Sequence, residues 1–209
     1  DVSAHLFEVD CTVDDPAASG QRFVLPSWTP GSYLIREFAR HVVAVRASSG
    51  GRAVPIAKVA KDAWQAAPCA GPLTVTIDVY AYDLSVRTAY LDATRGYFNG
   101  TSVFLCPEGR AHAPSTVEIV APREAPAARW RVATTLPREG AAPWGFGSYG
   151  ARDYDELVDH PVEMSEFAHF AFDAGGATHD VVVSGRATFD APRLAREVLA
   201  GTLIPGFGA

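Results

Sequence analysis

Cysteine is scarce in this sequence, and its arrangement excludes two classes of small stabilised domain. Among the 209 residues only Cys11, Cys69 and Cys106 occur, widely spaced and never as a Cys-x-x-Cys pair. An odd number of cysteines does not build a disulfide framework, and this spacing does not match a structural zinc site. We therefore expect three small buried hydrophobic side chains in a reducing compartment.

Basic charge and long apolar runs are also missing. The formal net charge of −6 argues against a nucleic-acid partner, which would need a basic stripe. No apolar run approaches the roughly 18 residues that a transmembrane helix requires, so we expect no membrane partner. The opening Asp1-Val2-Ser3-Ala4 lacks the basic and apolar regions of a signal peptide. We expect a cytoplasmic protein, and a periplasmic or secreted parent stays open.

What the sequence does contain is alternation with a period of two. In residues 7–13 and 75–80 apolar and polar residues alternate, which is typical of half-buried strands in antiparallel sheets. Turn-forming residues separate further strand candidates, at residues 22–25, 33–38, 41–47, 101–105, 115–120, 130–134 and 180–184. Many short strands at such spacing predict a mainly β fold, an antiparallel β-sandwich.

Helical signals are few and come late in the chain. Asp153 and Glu156 have the spacing of a capping box for one short turn. Asp190 is a candidate N-cap for a helix over residues 190–200, with Leu194, Val198 and Leu199 on one face. The Gly175-Gly176 pair is the best linker candidate. We therefore predict a β-sandwich domain over residues 1–174 and a second segment over residues 175–209.

Several runs together carry a resemblance to a known family. The first is Pro-Ser-Trp-Thr-Pro-Gly-Ser-Tyr-Leu-Ile-Arg-Glu-Phe-Ala-Arg-His at residues 26–41. Similar runs follow in the family's order at residues 90–92, 96–105 and 153–164. The chain resembles the N-terminal region of the glycyl aminopeptidases, zinc metallopeptidases with a thermolysin-like catalytic domain and often a C-terminal PDZ domain. The resemblance implies that residues 175–209 hold the first strand and helix of that α+β catalytic domain.

The zinc motif of that family is absent from the sequence. These enzymes hold zinc through a helical His-Glu-x-x-His, in which two histidines one turn apart face one metal. None of the six histidines here is followed by Glu, and no two lie four residues apart. We therefore expect no catalytic residue, metal ligand or cofactor in this chain. The resemblance implies zinc for the intact enzyme, and we expect these residues alone to be inactive.

The Trp28 turn suggests a rigid corner of the fold. Pro30 and Gly31 are typical turn residues, and we expect Trp28 to plug one end of the sandwich while Tyr33 caps a nearby backbone group. The alternative is that this turn lines a substrate cleft. In the strand predicted next, alternation would place Arg36 and Glu37 on opposite faces.

The polar run at residues 97–102 provides the candidate substrate contacts. In related two-domain zinc aminopeptidases a strand of the N-terminal domain reaches over the cleft and helps to bind the substrate's α-amine. By that resemblance Tyr97, Asn99 and Thr101 are the candidate substrate-binding residues, although a neutral amide holds an ammonium more weakly than a carboxylate. The alternative is a β-turn in which Asn99 and Gly100 adopt special dihedral angles.

Two functions follow from these observations. The favoured one is the non-catalytic N-terminal domain of a zinc aminopeptidase that removes N-terminal Gly or Ala, where it supports and partly walls the cleft. Its partners would be its own catalytic domain, the peptide substrate and, through an exposed truncated segment, a second copy. The alternative is a free-standing β-sandwich module that binds peptide or carbohydrate through the Trp28 and Tyr97 loops. A His-Glu-x-x-His further along the parent gene would decide between them.

Overall fold

A computed structural model describes residues 1–123, 128–186 and 188–202, with side chains through residue 197. The chain divides into two compact units, Asp1–Ser165 and Glu166–Ala209. We refer to them as unit 1 and unit 2 and describe each by itself.

Unit 1 is built mainly from short strands. They are β1 Leu6–Val13, β2 Arg22–Val24, β3 Val42–Ser49, β4 Arg52–Ala53, β5 Ile56–Ala60, β6 Ala63–Ala66, β7 Leu73–Tyr80, β8 Ala89–Leu91, β9 Arg95–Phe98, β10 Cys106–Pro107, β11 Ser115–Ile119, β12 Arg131–Ala133, β13 Gly147–Ala151 and β14 Val162–Ser165. One short helix, α1, spans Tyr154–Asp159, and 3₁₀ helices span Phe38–His41 and Gly100–Ser102.

The strands of unit 1 form antiparallel sheets around one core. The first sheet has the order β1-β7-β3-β4, the second β10-β2-β6-β5 and the third β12-β14-β9-β8, while β11 pairs with β13. Side chains from all three four-stranded sheets, including Ile77, Phe23 and Val162, belong to one buried cluster. The predicted mainly β fold with antiparallel sheets is confirmed.

The alternating sequence patterns explain the centre of the first sheet. In β7 the side chains of Leu73, Val75, Ile77 and Val79 are buried, and the residues between them are partly exposed. β1 pairs with β7 in continuous register from Leu6 opposite Tyr80 to Val13 opposite Leu73. A period of two along both strands turns one face of the sheet inward, so both of these predicted strands are confirmed.

Two predicted strands are wrong, and in each case local hydrogen bonds replace a sheet ladder. Residues 33–38 form no strand, because the Arg36 N–H donates to Ser27 O at 2.7 Å and the Ser32 N–H to Thr29 O at 3.1 Å. The loop folds on itself, so Arg36 and Glu37 do not alternate along a strand. Residues 101–105 begin in a 3₁₀ helix, because the Asn99 side chain caps its first turn.

The capping residues predicted for α1 act as expected. Asp153 Oδ1 accepts a hydrogen bond from the Glu156 N–H at 2.8 Å. The Glu156 carboxylate reaches back to the Arg152 N–H at 2.6 Å, one residue before the N-cap. Both bonds satisfy backbone donors near the helix start. Leu157 and Val158 then pack into the core of unit 1.

Unit 2 contains a hairpin and a helix. β15 Ala168–Ala174 pairs with β16 Ala177–Val183, and α2 spans Ala191–Thr202. The Gly175-Gly176 pair forms the hairpin turn, with φ angles of 58° and 81°, rather than an extended linker. Unit 1 ends at Ser165, before the boundary expected between residues 174 and 175, and that division into domains stays a prediction.

The start of α2 agrees with the predicted N-cap. Asp190 Oδ1 accepts a hydrogen bond from the Arg193 N–H at 3.1 Å. Of the predicted apolar face, Leu194 is partly buried, while the side chains of Val198 and Leu199 lie outside the described set. Within the described ranges, no helix combines the length and the hydropathy needed to cross a membrane.

The three cysteines are free thiols and half-buried against the core. Burial raises the pKa of the Cys11 thiol to about 12, with smaller contributions from Cys106 and Asp10. Burial also raises the pKa of Cys106, together with the charge of Asp155. Burial therefore disfavours the thiolate, which is the reactive form, at both cysteines.

Candidate functional site

Asn99 joins three segments at one end of unit 1. Its Oδ1 accepts hydrogen bonds from the Thr101 hydroxyl at 2.6 Å, the Thr101 N–H at 3.2 Å and the Thr29 hydroxyl at 3.2 Å. Its own N–H donates to Thr88 O at 2.9 Å. Asn99 therefore fixes the loop at residues 26–37, which we call the Trp28 loop, and the loop at residues 81–88, which we call the Leu84 loop, to the 3₁₀ helix.

The surroundings of Asn99 leave little room for a ligand. Thr101 is fully buried, and Thr29 is nearly so. A carbonyl oxygen has two lone pairs, and Asn99 Oδ1 already has three donors. In unit 1 this oxygen has no capacity left for an ammonium group. The role of Asn99 and Thr101 in substrate binding stays a prediction, and the role their geometry supports is to position the two loops.

Tyr97 lies beside this centre and points to the Leu84 loop. Its ring is half-buried, and its hydroxyl donates to Val86 O at 2.9 Å. Burial raises the pKa of Tyr97, and the negative charge of Glu163 on the neighbouring strand adds to the effect. The hydroxyl therefore stays protonated near neutral pH and acts as a donor that holds the Leu84 loop.

Gly100 is required for close packing rather than for a special backbone angle. Asn99 has extended angles, φ −86° and ψ 133°, and Gly100 is not among the glycines with positive φ. The predicted alternative of a turn with special dihedrals is therefore wrong. A Cβ at Gly100 would lie 2.7 Å from Val158 Cα and 3.1 Å from Leu157 O, so only glycine lets the 3₁₀ helix approach α1 this closely.

The Trp28 loop presents its large side chains outward. Trp28 is 43% exposed and Tyr33 is wholly exposed, so the predictions that Trp28 plugs the sandwich and that Tyr33 caps a backbone group are wrong. The tryptophans that belong to the buried core are instead Trp64 and Trp130. The loop's internal bonds and its link from Thr29 to Asn99 use the backbone and the hydroxyl groups, which leaves the apolar side chains pointing away from the core.

Exposed apolar side chains concentrate in the same two loops. Leu34 and Ile35 of the Trp28 loop are 65% and 84% exposed, and Leu84 and Val86 of the Leu84 loop are 62% and 69% exposed. Together with Tyr33 we call these residues the apolar end. The Leu84 loop lies beside the 3₁₀ helix that follows the Trp28 loop, because Asp83 and Thr88 line a small cavity together with Phe38 and His41. The sequence had one overlooked signal for this surface, the consecutive Tyr-Leu-Ile, which breaks the alternation of a half-buried strand.

A second surface feature is a cleft of about 450 Å³ between the Trp28 loop and α1. Trp28 and Pro30 line one side, and the other side is lined by Arg152, Asp155, Glu156, Asp159 and His160. Arg152 lies 3.5 Å from Asp153 and 3.9 Å from Glu156, so part of the negative charge is already compensated. His160 Nδ1 and the Thr135 hydroxyl lie 2.6 Å apart.

The described residues do not provide a metal site. Within the described ranges, no three His, Cys, Asp or Glu side chains lie close enough together to hold a metal ion. A catalytic zinc needs three protein ligands and an open position. The described residues therefore do not fit the zinc that the family resemblance implies.

The sequence matches a known protein family. The sequence model of the family described as the peptidase M61 N-terminal domain matches residues 1–166. This range is essentially the whole of unit 1. The chain belongs to the peptidase M61 N-terminal domain family.

A solved structure supports the fold of this M61 N-terminal domain. It is described as an aminopeptidase N family protein from Idiomarina loihiensis, and it is similar with 39% sequence identity and a TM-score of 0.90. The match covers 95% of this chain and 33% of the solved chain, so the M61 chain spans about a third of that protein. A search of curated proteins gave no match.

Proposed function

We propose that this chain is the non-catalytic N-terminal part of a longer zinc aminopeptidase that removes N-terminal Gly or Ala. The observation that carries the proposal is the family match over residues 1–166. The described part of that range holds no group of three side chains that could bind a metal ion. The solved relative, three times as long, is itself described as an aminopeptidase N family protein. The zinc would be held by residues beyond this chain, where it would activate water for hydrolysis.

The proposal gives unit 1 the task of supporting and partly walling the substrate cleft. The partners are the enzyme's own catalytic domain and the peptide substrate, and we propose a cytoplasmic location without nucleic-acid or membrane partners. Residues 175–209 would contribute the first strand and helix of the catalytic domain, and the exposed surface of this truncated segment would pair with a second copy when the chain is isolated.

The experiment that tests this function uses the full-length product of the parent gene. We expect stoichiometric zinc and hydrolysis of Gly- and Ala-p-nitroanilide that exceeds hydrolysis of the Leu derivative. The 209-residue chain serves as the matched control and is expected to lack both zinc and activity. A parent gene without His-Glu-x-x-His, or a full-length protein without aminopeptidase activity, would contradict the proposal.

We also propose that residues 97–101 face the substrate side of the intact enzyme. Because Asn99 Oδ1 already has three donors, its main effect would come through the two loops, while the Tyr97 ring would limit the pocket to small side chains. In the full-length protein, Asn99→Ala should then change KM for free-amine and N-blocked substrates together. A rise in KM for free-amine substrates alone would show that Asn99 binds the amine directly.

The second candidate function, a free-standing peptide- or carbohydrate-binding module, is favoured by one observation. Trp28 is 43% exposed and lines the cleft beside α1, and exposed aromatic rings on rigid scaffolds often bind ligands. Titration of the chain with oligosaccharides and peptides, followed by isothermal titration calorimetry, tests it. Binding that is lost in Trp28→Ala but kept in Val120→Ala, at an exposed position outside the cleft, would favour the module.

A further inference from the structure

The apolar end of unit 1 is unusual for a surface that faces only water. Tyr33, Leu34 and Ile35 are consecutive and are 65% or more exposed. Single exposed apolar residues are common, but contiguous apolar patches mark interaction surfaces. Leu84 and Val86 are also exposed, on the Leu84 loop, and Asn99 bonds both this loop and the Trp28 loop.

The hydrogen bonds of the apolar end hold it in this outward arrangement. Within the Trp28 loop, Arg36 Nη2 and the Leu34 N–H both donate to Ser32 Oγ, at 3.2 Å and 3.4 Å. Tyr97 holds the Leu84 loop through Val86 O, and Asn99 ties both loops to the 3₁₀ helix. A surface that is fixed in advance loses little conformational entropy when a partner binds.

We propose that the apolar end is the surface on which the catalytic domain of the same polypeptide docks. The inference rests on the proposed function. The solved relative, in which this fold makes up 33% of the chain, carries about two thirds of its length outside the matched part, which supplies a partner of sufficient size.

The path of the chain favours the catalytic domain of the same polypeptide, rather than a separate protein, as the partner of the apolar end. β14 starts near the Asn99 junction that holds both loops, where Val162 pairs with Phe98, the residue before Asn99. The strand has four residues, a length of about 13 Å at roughly 3.3 Å per residue. The chain therefore leaves unit 1 opposite Arg95, one short strand away from Phe98, and a covalently connected domain has a high effective concentration at such a distance.

Photo-crosslinking in the full-length protein tests the docking surface. We would introduce p-benzoyl-phenylalanine at Leu34 and, as a matched control, at Val120, which is 69% exposed. Val120 follows β11 at the end that pairs with Gly147, whereas α1 follows the opposite end of the ladder. After irradiation, mass spectrometry should locate cross-links from position 34 to residues beyond 209 of the same chain, and no such cross-links from position 120.

A second experiment tests whether a charge in the apolar end weakens docking in the full-length protein. Ile35→Asp should make the full-length protein more sensitive to limited proteolysis after Ser165 than Val120→Asp does. Because the Ile35 side chain is exposed, unit 1 should keep its hydrogen-exchange protection in β7. Cross-links from position 34 to a second copy, or the same pattern from positions 34 and 120, would overturn the docking proposal.

Zinc content and hydrolysis of the same preparations separate the two proposals. Zinc-dependent hydrolysis without the expected cross-links would leave the proposed function standing and remove the docking surface. Cross-links to the downstream chain without hydrolysis would leave the docking surface standing and remove the proposed aminopeptidase activity.

Discussion

Gly100→Ala should destabilise unit 1, because the added methyl group meets backbone atoms. The new Cβ would lie 2.7 Å from Val158 Cα, 3.1 Å from Leu157 O and 3.1 Å from Phe104 Cδ2. Optimal carbon–carbon contacts lie at about 3.5–4.0 Å, so the 3₁₀ helix and α1 must separate by roughly 1 Å. Val158 is completely buried, and its backbone can move only if the core around it moves too.

The expected cost follows from two opposing effects. Overpacking of a filled core costs about 1–3 kcal/mol, and alanine returns up to about 1 kcal/mol by restricting the unfolded chain. We expect a net loss of about 1–2 kcal/mol in the free energy of unfolding, a large fraction of a domain's roughly 5–15 kcal/mol. For a chain of this size each kcal/mol lowers Tm by about 2–4 °C.

Urea and thermal denaturation of the 209-residue chain measure this effect. Gly140→Ala is the matched control, because its Cβ would meet only Ser148, at an ordinary distance of 3.8 Å, and Gly140 has no positive φ. If the two variants unfold at the same midpoint, the close approach of the 3₁₀ helix to α1 does not constrain the fold, and the reasoning is refuted.

Three further predictions concern separate parts of the chain. Trp28→Ala should lower stability by only about 1 kcal/mol, whereas Trp64→Ala should cost about 3–5 kcal/mol, because Trp64 is 4% exposed; equal losses in denaturation midpoints would contradict the outward placement of Trp28. Burial alone would raise the pKa of Asp92, but hydrogen bonds from Thr94, Tyr90 and the Arg95 N–H hold that pKa below its usual value. Its folded pKa is therefore below its unfolded value of about 3.9, so the stability it contributes is present above that pH and is lost as the pH falls through the folded pKa. Thermal scans should show a weaker loss below about pH 3.9 in Asp92→Asn than in the control Asp14→Asn, and parallel curves would contradict this role. In hydrogen exchange the hairpin β15–β16 should open more readily than residues 75–79 of β7, because a two-stranded hairpin is marginally stable, while β7 lies between β1 and β3; equal protection would show that unit 2 is as stable as the sandwich core.

Predictions from the sequence were most accurate for strands whose buried face follows from the local alternation of apolar and polar residues. In β7 the alternation of Val75, Ile77 and Val79 with polar residues could be recognised without knowing the partner strands, because the period of two is a local property. The N-caps Asp153 and Asp190 were equally predictable, since each bonds a backbone N–H only three residues further on.

The candidate site was less predictable, because its contacts join distant parts of the chain. The run around Asn99 stood out as polar, but its partner Thr29 is 70 residues away, and no local pattern indicates that pairing. Trp28 lies between two prolines, but whether its side chain points inward or outward depends on how residues from distant parts of the chain fill the core, and a local pattern does not contain that information.

The junction at Asn99 separates the support of the two loops from their tips. Thr29, Thr88 and Gly100 fix where each loop starts from the sandwich, while Tyr33, Leu34, Ile35 and Leu84 contribute almost nothing to the packed interior. The tips can therefore be exchanged as short cassettes on an unchanged scaffold, much as variable loops are exchanged on an antibody framework. The junction would fix the position of a grafted tip. This end of the sandwich is therefore suited to changing which partner the domain binds without changing the core.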